Sequence, residues 1–335
     1  MTNALDRARG ALTGLALGDA LGMPTQDLAR DVILADYGDI RELRDAGPHQ
    51  LIAAGLSAGT ITDDTEQAVL LADILIDAGG TIDPHRFAEA LLSWEQRMIA
   101  AGSLDLLGPS TKRALSRLQA GEDPTVTGTR GATNGAAMRV TPVGIAFAPD
   151  SRTSLLDAVH ASALVTHNTS IGLAAATAVA GAVSAGIDGA DVREAVLFGA
   201  DLADEAESRA PWIDGARIGP RVRWAVELLQ GALPADATRL CIDLIGTSVA
   251  AQESVVAALA LAAGSLDPWS ALGVAASVGG DTDTIGAIAG AVLGAGWGMQ
   301  AWPTDAVALV TSVNTLDLTS RASALLTLRD TGSAA

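Results

Sequence analysis

Two short stretches carry acidic side chains in an arrangement that a purely structural role does not explain. "TDDT" occupies residues 62–65 and "GGDTDT" residues 279–284, and each stands directly before an apolar run. An Asp at a helix start can accept from free backbone N–H groups, and Asp63 with Glu66 has the spacing of a capping box. One carboxylate satisfies that role. Thr62 and Asp64 are then left over, and neighbouring like charges repel unless a cation lies beside them. Asp281 and Asp283 alternate with Thr282 and Thr284 in the same way. Carboxylate and hydroxyl oxygens are hard ligands, suited to Mg²⁺, Ca²⁺ or Mn²⁺ rather than zinc. Brought together, the two clusters would hold a pair of cations, and ions about 3.5–4 Å apart can orient one substrate between them.

Three further stretches carry polar groups among small or apolar residues. In "RGATNGAAMRVTP", Gly131, Thr133, Asn134 and Gly135 could present backbone N–H groups to phosphate oxygens. The plain alternative is an ordinary Gly/Asn turn. Arg139 in the same stretch reads either as a phosphate ligand or as an ion-pair partner. In "VTHNTS", His167 falls between two apolar helical patterns, as a local hydrogen-bonding group or as a nucleotide contact. In "GLALGDALGMPTQ", Asp19 interrupts an apolar stripe, where a cap or a partner in the core is the better reading than a ligand contact. Gly14 and Gly18 would let another segment approach closely. The four histidines form no HxxxH or HExxH spacing, which removes a zinc-protease reading.

These groups need a scaffold, and the composition points to helices. Hydrophobic residues make up 49% of the 335, much of it alanine, and aromatics only 3%. Alanine is the strongest helix former, and no segment shows sustained strand alternation. Helical patterns cover residues 9–21, 64–78, 83–100, 109–120, 154–164, 170–185, 190–209, 221–230, 237–263, 268–278 and 284–295. A last pattern covers 305–329, with a break near Asn314. Residues 125–142 resist a helical reading. Without a linker or charge block, residues 1–335 read as one domain. The net charge of −18 and pI of about 4.4 exclude an extended nucleic-acid groove. They also make an anionic substrate awkward unless metal ions supply positive charge. Cys241 is the only cysteine and reads as a small buried hydrophobe. The apolar run 171–187 is interrupted by Thr177 and Ser184 and reads as a buried helix rather than a membrane span. Asp6 and Asp19 spoil a signal-peptide reading, so the cytoplasm is the expected location.

In this order, the five stretches resemble the ADP-ribosylglycohydrolases, the family that includes the dinitrogenase-reductase-activating glycohydrolase. The resemblance runs from about Arg7 to Arg329. An early TDDT paired with a late GGDTDTxGA is its specific mark. It implies an all-α fold, a compact single-domain orthogonal helical bundle, with a dinuclear Mg²⁺ or Mn²⁺ centre. By motif, Thr62, Asp63, Asp64, Asp281, Asp283 and Thr284 match the metal ligands. "GATNG" resembles the diphosphate loop, and His167 matches a ligand-contacting histidine. Asp105 matches more loosely an acidic residue near the scissile bond. One departure stands out, because Gln26 occupies the position of a family glutamate and is followed by Asp27. The implied activity is hydrolysis of the bond between ADP-ribose and a modified macromolecule, with Asp63, Asp64 or Asp105 as the base. The alternatives are hydrolysis of a small ribosylated metabolite, as in a nucleosidase, and a non-enzymatic binder of the same fold. The matched metal ligands argue against the last.

Overall fold

The computed structural model describes residues 3–100 and 107–332. Their helices in chain order are α1 (Ala4–Gly22), α2 (Arg30–Asp36), α3 (Asp63–Asp77), α4 (Pro84–Ala100), α5 (Pro109–Gln119), α6 (Pro124–Thr127), α7 (Gly135–Met138), α8 (Thr141–Ala146), α9 (Arg152–His167), α10 (Ser170–Ile187), α11 (Val192–Ala206), α12 (Ile218–Leu228), α13 (Pro234–Leu240), α14 (Ala251–Ala262), α15 (Pro268–Ala275), α16 (Thr282–Trp297), α17 (Thr304–Asn314) and α18 (Leu318–Gly332). Extended pairing among the described residues is limited to two isolated bridges, Leu28 with Gly280 and Thr133 with Ala250. One hydrophobic core runs from Ala8 in α1 to Leu325 in α18. The chain is all-α, in agreement with its Ala-rich composition.

Glycines at every fourth position put a bare stripe along α1 (Gly10, Gly14, Gly18, Gly22) and along α16 (Gly286, Gly290, Gly294). The stripes face each other with the helices antiparallel: Gly10 meets Gly294, Gly14 meets Gly290, Gly18 meets Gly286, and Gly22 meets Thr282 and Asp283. Residues four apart share a helix face. With no Cβ between them the backbones touch, a geometry that allows weak Cα–H···O contacts. The Trp302 ring closes the outer end, donating from Nε1 to the Gly10 carbonyl at 2.9 Å. At the inner end the Thr282 hydroxyl donates to the Gly22 carbonyl at 3.0 Å.

The apolar run read as a buried helix is α10. By length and composition it could cross a bilayer, and all of it is buried, with α7, α8, α9, α11, α14 and α16 around it. A helix that is apolar all round belongs in a core. The Thr169 hydroxyl accepts from Gly172 N at 3.0 Å and caps its start. The break near Asn314 is also present. α17 ends there, Thr315 takes a left-handed φ of 54°, and α18 follows.

Two expectations are corrected. Residues 237–263 are not one helix. After α13 the chain widens into a π-turn at Cys241–Ile245, Gly246 turns with φ 93°, and α14 begins only at Ala251. The Gly246 N–H reaches back five residues to the Cys241 carbonyl at 2.8 Å, which ends the helix and throws residues 247–250 outward. Residues 125–142 are likewise more helical than expected, since they hold most of α6, all of α7 and the start of α8. Cys241 is buried as expected, and burial pushes its thiol up to about 12.

Gly18→Ala tests the seam, because its Cβ would fall on the Gly286 carbonyl and backbone cannot give way as a side chain can. Urea denaturation should show a loss of about 3 kcal/mol, the upper end for overpacking. A loss below about 1 kcal/mol would mean that the two helices separate freely.

Candidate functional site

The start of α3 is held from below. Asp19, fully buried on α1, accepts from Thr62 N at 3.0 Å, Thr62 Oγ1 at 2.8 Å, Thr65 N at 3.1 Å and Thr65 Oγ1 at 2.5 Å. Asp19 is thus a partner within the core, as its place in the apolar stripe suggested. The capping reading of "TDDT" is corrected. The N-cap is Thr62 and makes no side-chain cap bond. Glu66 accepts from Trp94 Nε1 at 2.6 Å instead of closing a capping box. Asp63 Oδ2 accepts from Gln67 Nε2 at 3.0 Å, and Asp64 lies behind it. The same holds at α16, where Asp281 sits at the N-cap position without capping. Its Oδ2 instead accepts a short hydrogen bond from Asn134 Nδ2. The Thr284 hydroxyl donates to Asp64 Oδ2 at 3.3 Å, so the two clusters, 220 residues apart in sequence, meet directly.

The result is a floor of five carboxylates, with Asp19, Asp63, Asp64 and Asp283 buried and Asp281 half-buried at its edge. None has an ion-pair partner among the described residues. Burial is the main cause that raises each pKa, and acidic neighbours add to it at Asp63, Asp64 and Asp283. Burial brings Asp19 to about 6 despite its four donors, and Asp281 to about 6 despite Asn134. Asp63, Asp64 and Asp283 are pushed well above the carboxylate range by burial and by their acidic neighbours. Asp64 Oδ1, Asp283 Oδ1 and Gln26 Oε1 are buried with no hydrogen-bond partner. Buried acceptors left unpaired are costly, and buried charge is ordinarily paired or bound to a metal. Among the described residues no three acidic, imidazole or thiol groups close on one point. The donors instead form a broad oxygen-rich floor, which fits hard cations that keep several of their waters. The residues therefore fit divalent cations.

Above the floor lies a cavity of about 410 Å³, within the range of small-molecule sites. Gln26, Asp63, Thr133, Asn134, Gly135, Asp281, Asp283 and Thr284 line it. Thr62 and Asp64 lie just beneath. Gly131 packs against the backbone of Thr166 and His167, away from the lining. His167 is not in a loop but is the last residue of α9, fully buried, and lies behind the lining residues Thr133 and Gly135. Asn134 turns its side chain to Asp281 and to Ser254 Oγ, 2.8 Å, and its backbone N–H to the Val249 carbonyl, 3.1 Å. Asp105 lies outside the described residues. A larger cavity of about 600 Å³ beside Trp269 and Arg239 contains none of the clustered carboxylates.

Several lining residues carry no motif signal. Ser248 and Val249 arrive through the break at Gly246. Ile52 and Thr111 contribute from separate elements. Lys112, exposed on α5 at the cavity, is the only lysine in the chain. That single occurrence in so acidic a sequence was the one signal available.

Two measurements test the acidic floor. Gln26→Glu adds a carboxylate where an unpaired amide oxygen faces the cavity. Calorimetric titration should show Mg²⁺ affinity about tenfold higher, since carboxylates outrank amides as ligands for hard cations. Equal affinity would place Gln26 outside the coordination sphere. The second is pH-dependent. Carboxylates raised from 3.8 make the folded, cation-free chain bind protons more readily than the unfolded chain. Their contribution is favourable in acid and is lost as pH rises through about 6 for Asp19 and Asp281, and higher still for the other three. Mg²⁺ competes with those protons, so it should raise Tm more at pH 8 than at pH 5.5. An equal rise at both would count against cation binding at this floor.

Comparison with known proteins gives the chain's relatives. A family model described as ADP-ribosylglycohydrolase matches residues 1–334. The uncharacterized protein YegU of Escherichia coli strain K12 is 33% identical over 326 residues, covering 97% of each chain. The ADP-ribosylarginine hydrolase Tri1 of Pseudomonas putida strain GB-1 is 29% identical over 312 residues, covering 90% of this chain and 73% of that one. A solved structure described as an ADP-ribosylglycohydrolase-related protein complex superposes with a TM-score of 0.72 at 28% identity, covering 98% of this chain and 99% of the other. With its all-α fold and a match over almost its whole length, the chain belongs to the ADP-ribosylglycohydrolase family.

Proposed function

We propose that the chain is a divalent-cation-dependent glycohydrolase that cleaves the bond between ribose C1 of ADP-ribose and a modified acceptor. The observation that carries this reading is the floor of clustered carboxylates that no described cation contacts, set beneath a cavity walled by Thr133, Asn134 and Gly135. The similarity to an ADP-ribosylarginine hydrolase supports an ADP-ribosylated side chain as the acceptor. Two ions, Mg²⁺ or Mn²⁺, would be held by Thr62, Asp63, Asp64, Asp281, Asp283 and Thr284. When bound they would supply positive charge that fixes sugar hydroxyls and acidifies a water.

The protein's own groups divide the remaining work. Thr133 and Gly135 receive the diphosphate and orient the ligand, which lowers the entropic cost of reaction. Ile52, Leu107 and Met138 give the cavity apolar wall, which excludes water. Cleavage develops positive charge at C1, and the acidic floor favours that charge. Of the candidate bases, Asp63 lines the cavity and Asp64 does not, so Asp63 takes the proton of the attacking water. Asn134 keeps Asp281 turned toward the floor.

Asp283→Ala removes a floor carboxylate with an unpaired oxygen. Mg²⁺-dependent release of ADP-ribose from an ADP-ribosylated protein should fall about 100-fold or more, with the helical circular dichroism unchanged. Retained activity would remove Asp283 from the mechanism. Calorimetry should also show ADP-ribose binding at least about tenfold more tightly than adenosine, because only the former engages the Thr133 wall. Adenosine binding as well as ADP-ribose would favour a nucleosidase acting on a small ribosylated metabolite.

A further inference from the structure

Behind the cavity wall runs a buried chain of polar groups that none of the roles above uses. Arg139 is fully buried and contacts no carboxylate. It donates from Nη1 to Gln67 Oε1 at 3.0 Å, and from Nη2 to Thr166 Oγ1 at 2.6 Å and the Ser162 carbonyl at 3.2 Å. Its guanidinium lies over the Phe87 ring, 5.1 Å from the centroid. On one side, Gln67 Nε2 reaches Asp63 Oδ2 at 3.0 Å. On the other, Thr166 Oγ1 is 2.7 Å from His167 Nδ1, and His167 Nε2 is 2.9 Å from Thr133 Oγ1. The chain therefore joins the phosphate-side wall to the acidic floor without passing through the cavity.

One ordering of donors and acceptors along it gives each of these contacts a hydrogen. A guanidinium has donors only. Gln67 must turn its oxygen to Arg139, so its amide N–H faces Asp63, which accepts. Thr166 accepts from Arg139, and the other neighbour of its hydroxyl among the described residues is His167 Nδ1. Its single hydrogen goes there, so Nδ1 is an acceptor. The neutral imidazole then carries its proton on Nε2 and donates to Thr133. Thr133 accepts on that side, and its own hydrogen is left for the cavity it lines.

We propose that Arg139 is a positioning residue that sets the polarity of this wall: through Thr166 and His167 it makes the Thr133 hydroxyl a donor toward an anionic ligand oxygen, and through Gln67 it keeps Asp63 an acceptor. The two ends match the two kinds of partner the site meets, a phosphoryl oxygen and a cation or an acidic proton. That the oxygen is a phosphoryl of ADP-ribose rests on the function proposed above; the proton order does not. Burial, with Arg139 and Arg113 nearby, pushes His167 well below the usual imidazole range, consistent with a neutral ring. Burial lowers Arg139 to about 9, with Asp63 opposing the fall, so it stays charged at neutral pH.

Nitrogen-15 NMR of the full chain tests the order directly, with the His167 ring assigned by its loss in His167→Asn. The wild-type ring should be neutral with the proton on Nε2. A proton on Nδ1, or a doubly protonated ring at pH 7, overturns the proposal. Thr166→Val keeps the shape and removes the link. It should mix the tautomers and weaken ADP-ribose binding about tenfold, with adenosine unchanged and Thr166→Ser within about twofold of wild type. ADP-ribose binding unchanged in Thr166→Val overturns the positioning role. Should that variant not fold, Thr133→Val at the half-buried cavity wall must show the same selective loss, and equal binding there overturns the donor role. If wild type binds no ADP-ribose, the proposed function fails, and the ring's tautomer still decides the proton order.

Discussion

Where Gly14 meets Gly290 and Gly18 meets Gly286, two backbones touch with no side chain between them, and that contact fixes the C-terminal end of α1 against the N-terminal end of α16. Asp19 lies on the first of those ends and Asp281 to Thr284 on the second. Each helix is set by the other to within a carbonyl's width. A bulkier residue anywhere along the seam would move the two ends apart and take the acidic floor with them. The Thr25 and Thr282 hydroxyls, 3.0 Å apart, tie the inner end once more. The site thus rests on a direct backbone-to-backbone contact, which suits groups that must hold their spacing during chemistry.

Asp19 shows how that frame is extended. Its carboxylate is not itself on the cavity lining. It gathers the Thr62 and Thr65 backbone and hydroxyl donors and so aims α3 at the floor. Where an Asp stands at other helix starts in this chain it caps, as with Asp191 on Glu194 N at 2.9 Å and Asp267 on Ser270 N at 3.1 Å. The starts of α3 and α16 lack such caps. Their carboxylates are thereby left for ligands, at the cost of burying charge that the protein alone does not neutralise. Local stability is given up where function needs the groups, a pattern expected at sites rather than in scaffolds.

The helical class, the buried α10 and the turn at Asn314 were readable because alanine content and apolar spacing determine them locally. The paired Asp/Thr clusters were readable because both carry more carboxylates than a cap requires. Other features depend on distant partners. Asp63 and Glu66 have capping-box spacing, yet Trp94, 28 residues away, takes the Glu66 carboxylate. The apolar pattern continues across Cys241 to Ile245, so the π-turn and the arrival of Ser248 at the cavity leave only Gly246 as a trace. His167 and Asn134 were recognised as polar groups in the right segments. Their side-chain directions, toward Thr133 and toward Asp281, depend on tertiary neighbours that spacing does not encode.

The α1–α16 seam also dictates when the chain can fold. Gly18 and Gly286 are separated by most of the polypeptide, so the central contact is among the most non-local in the molecule. At roughly 5–20 residues per second, a ribosome needs about 15–50 s to synthesise α16 after α1 has emerged. Throughout that interval α1 presents an apolar, glycine-striped surface with nothing to close against it. Contacts of such sequence separation slow folding, and exposed apolar surface invites association with other chains. Synthesis of this protein therefore places an early, sustained demand on whatever in the cell shields nascent helices, and a chain interrupted before α16 has no way to complete its core.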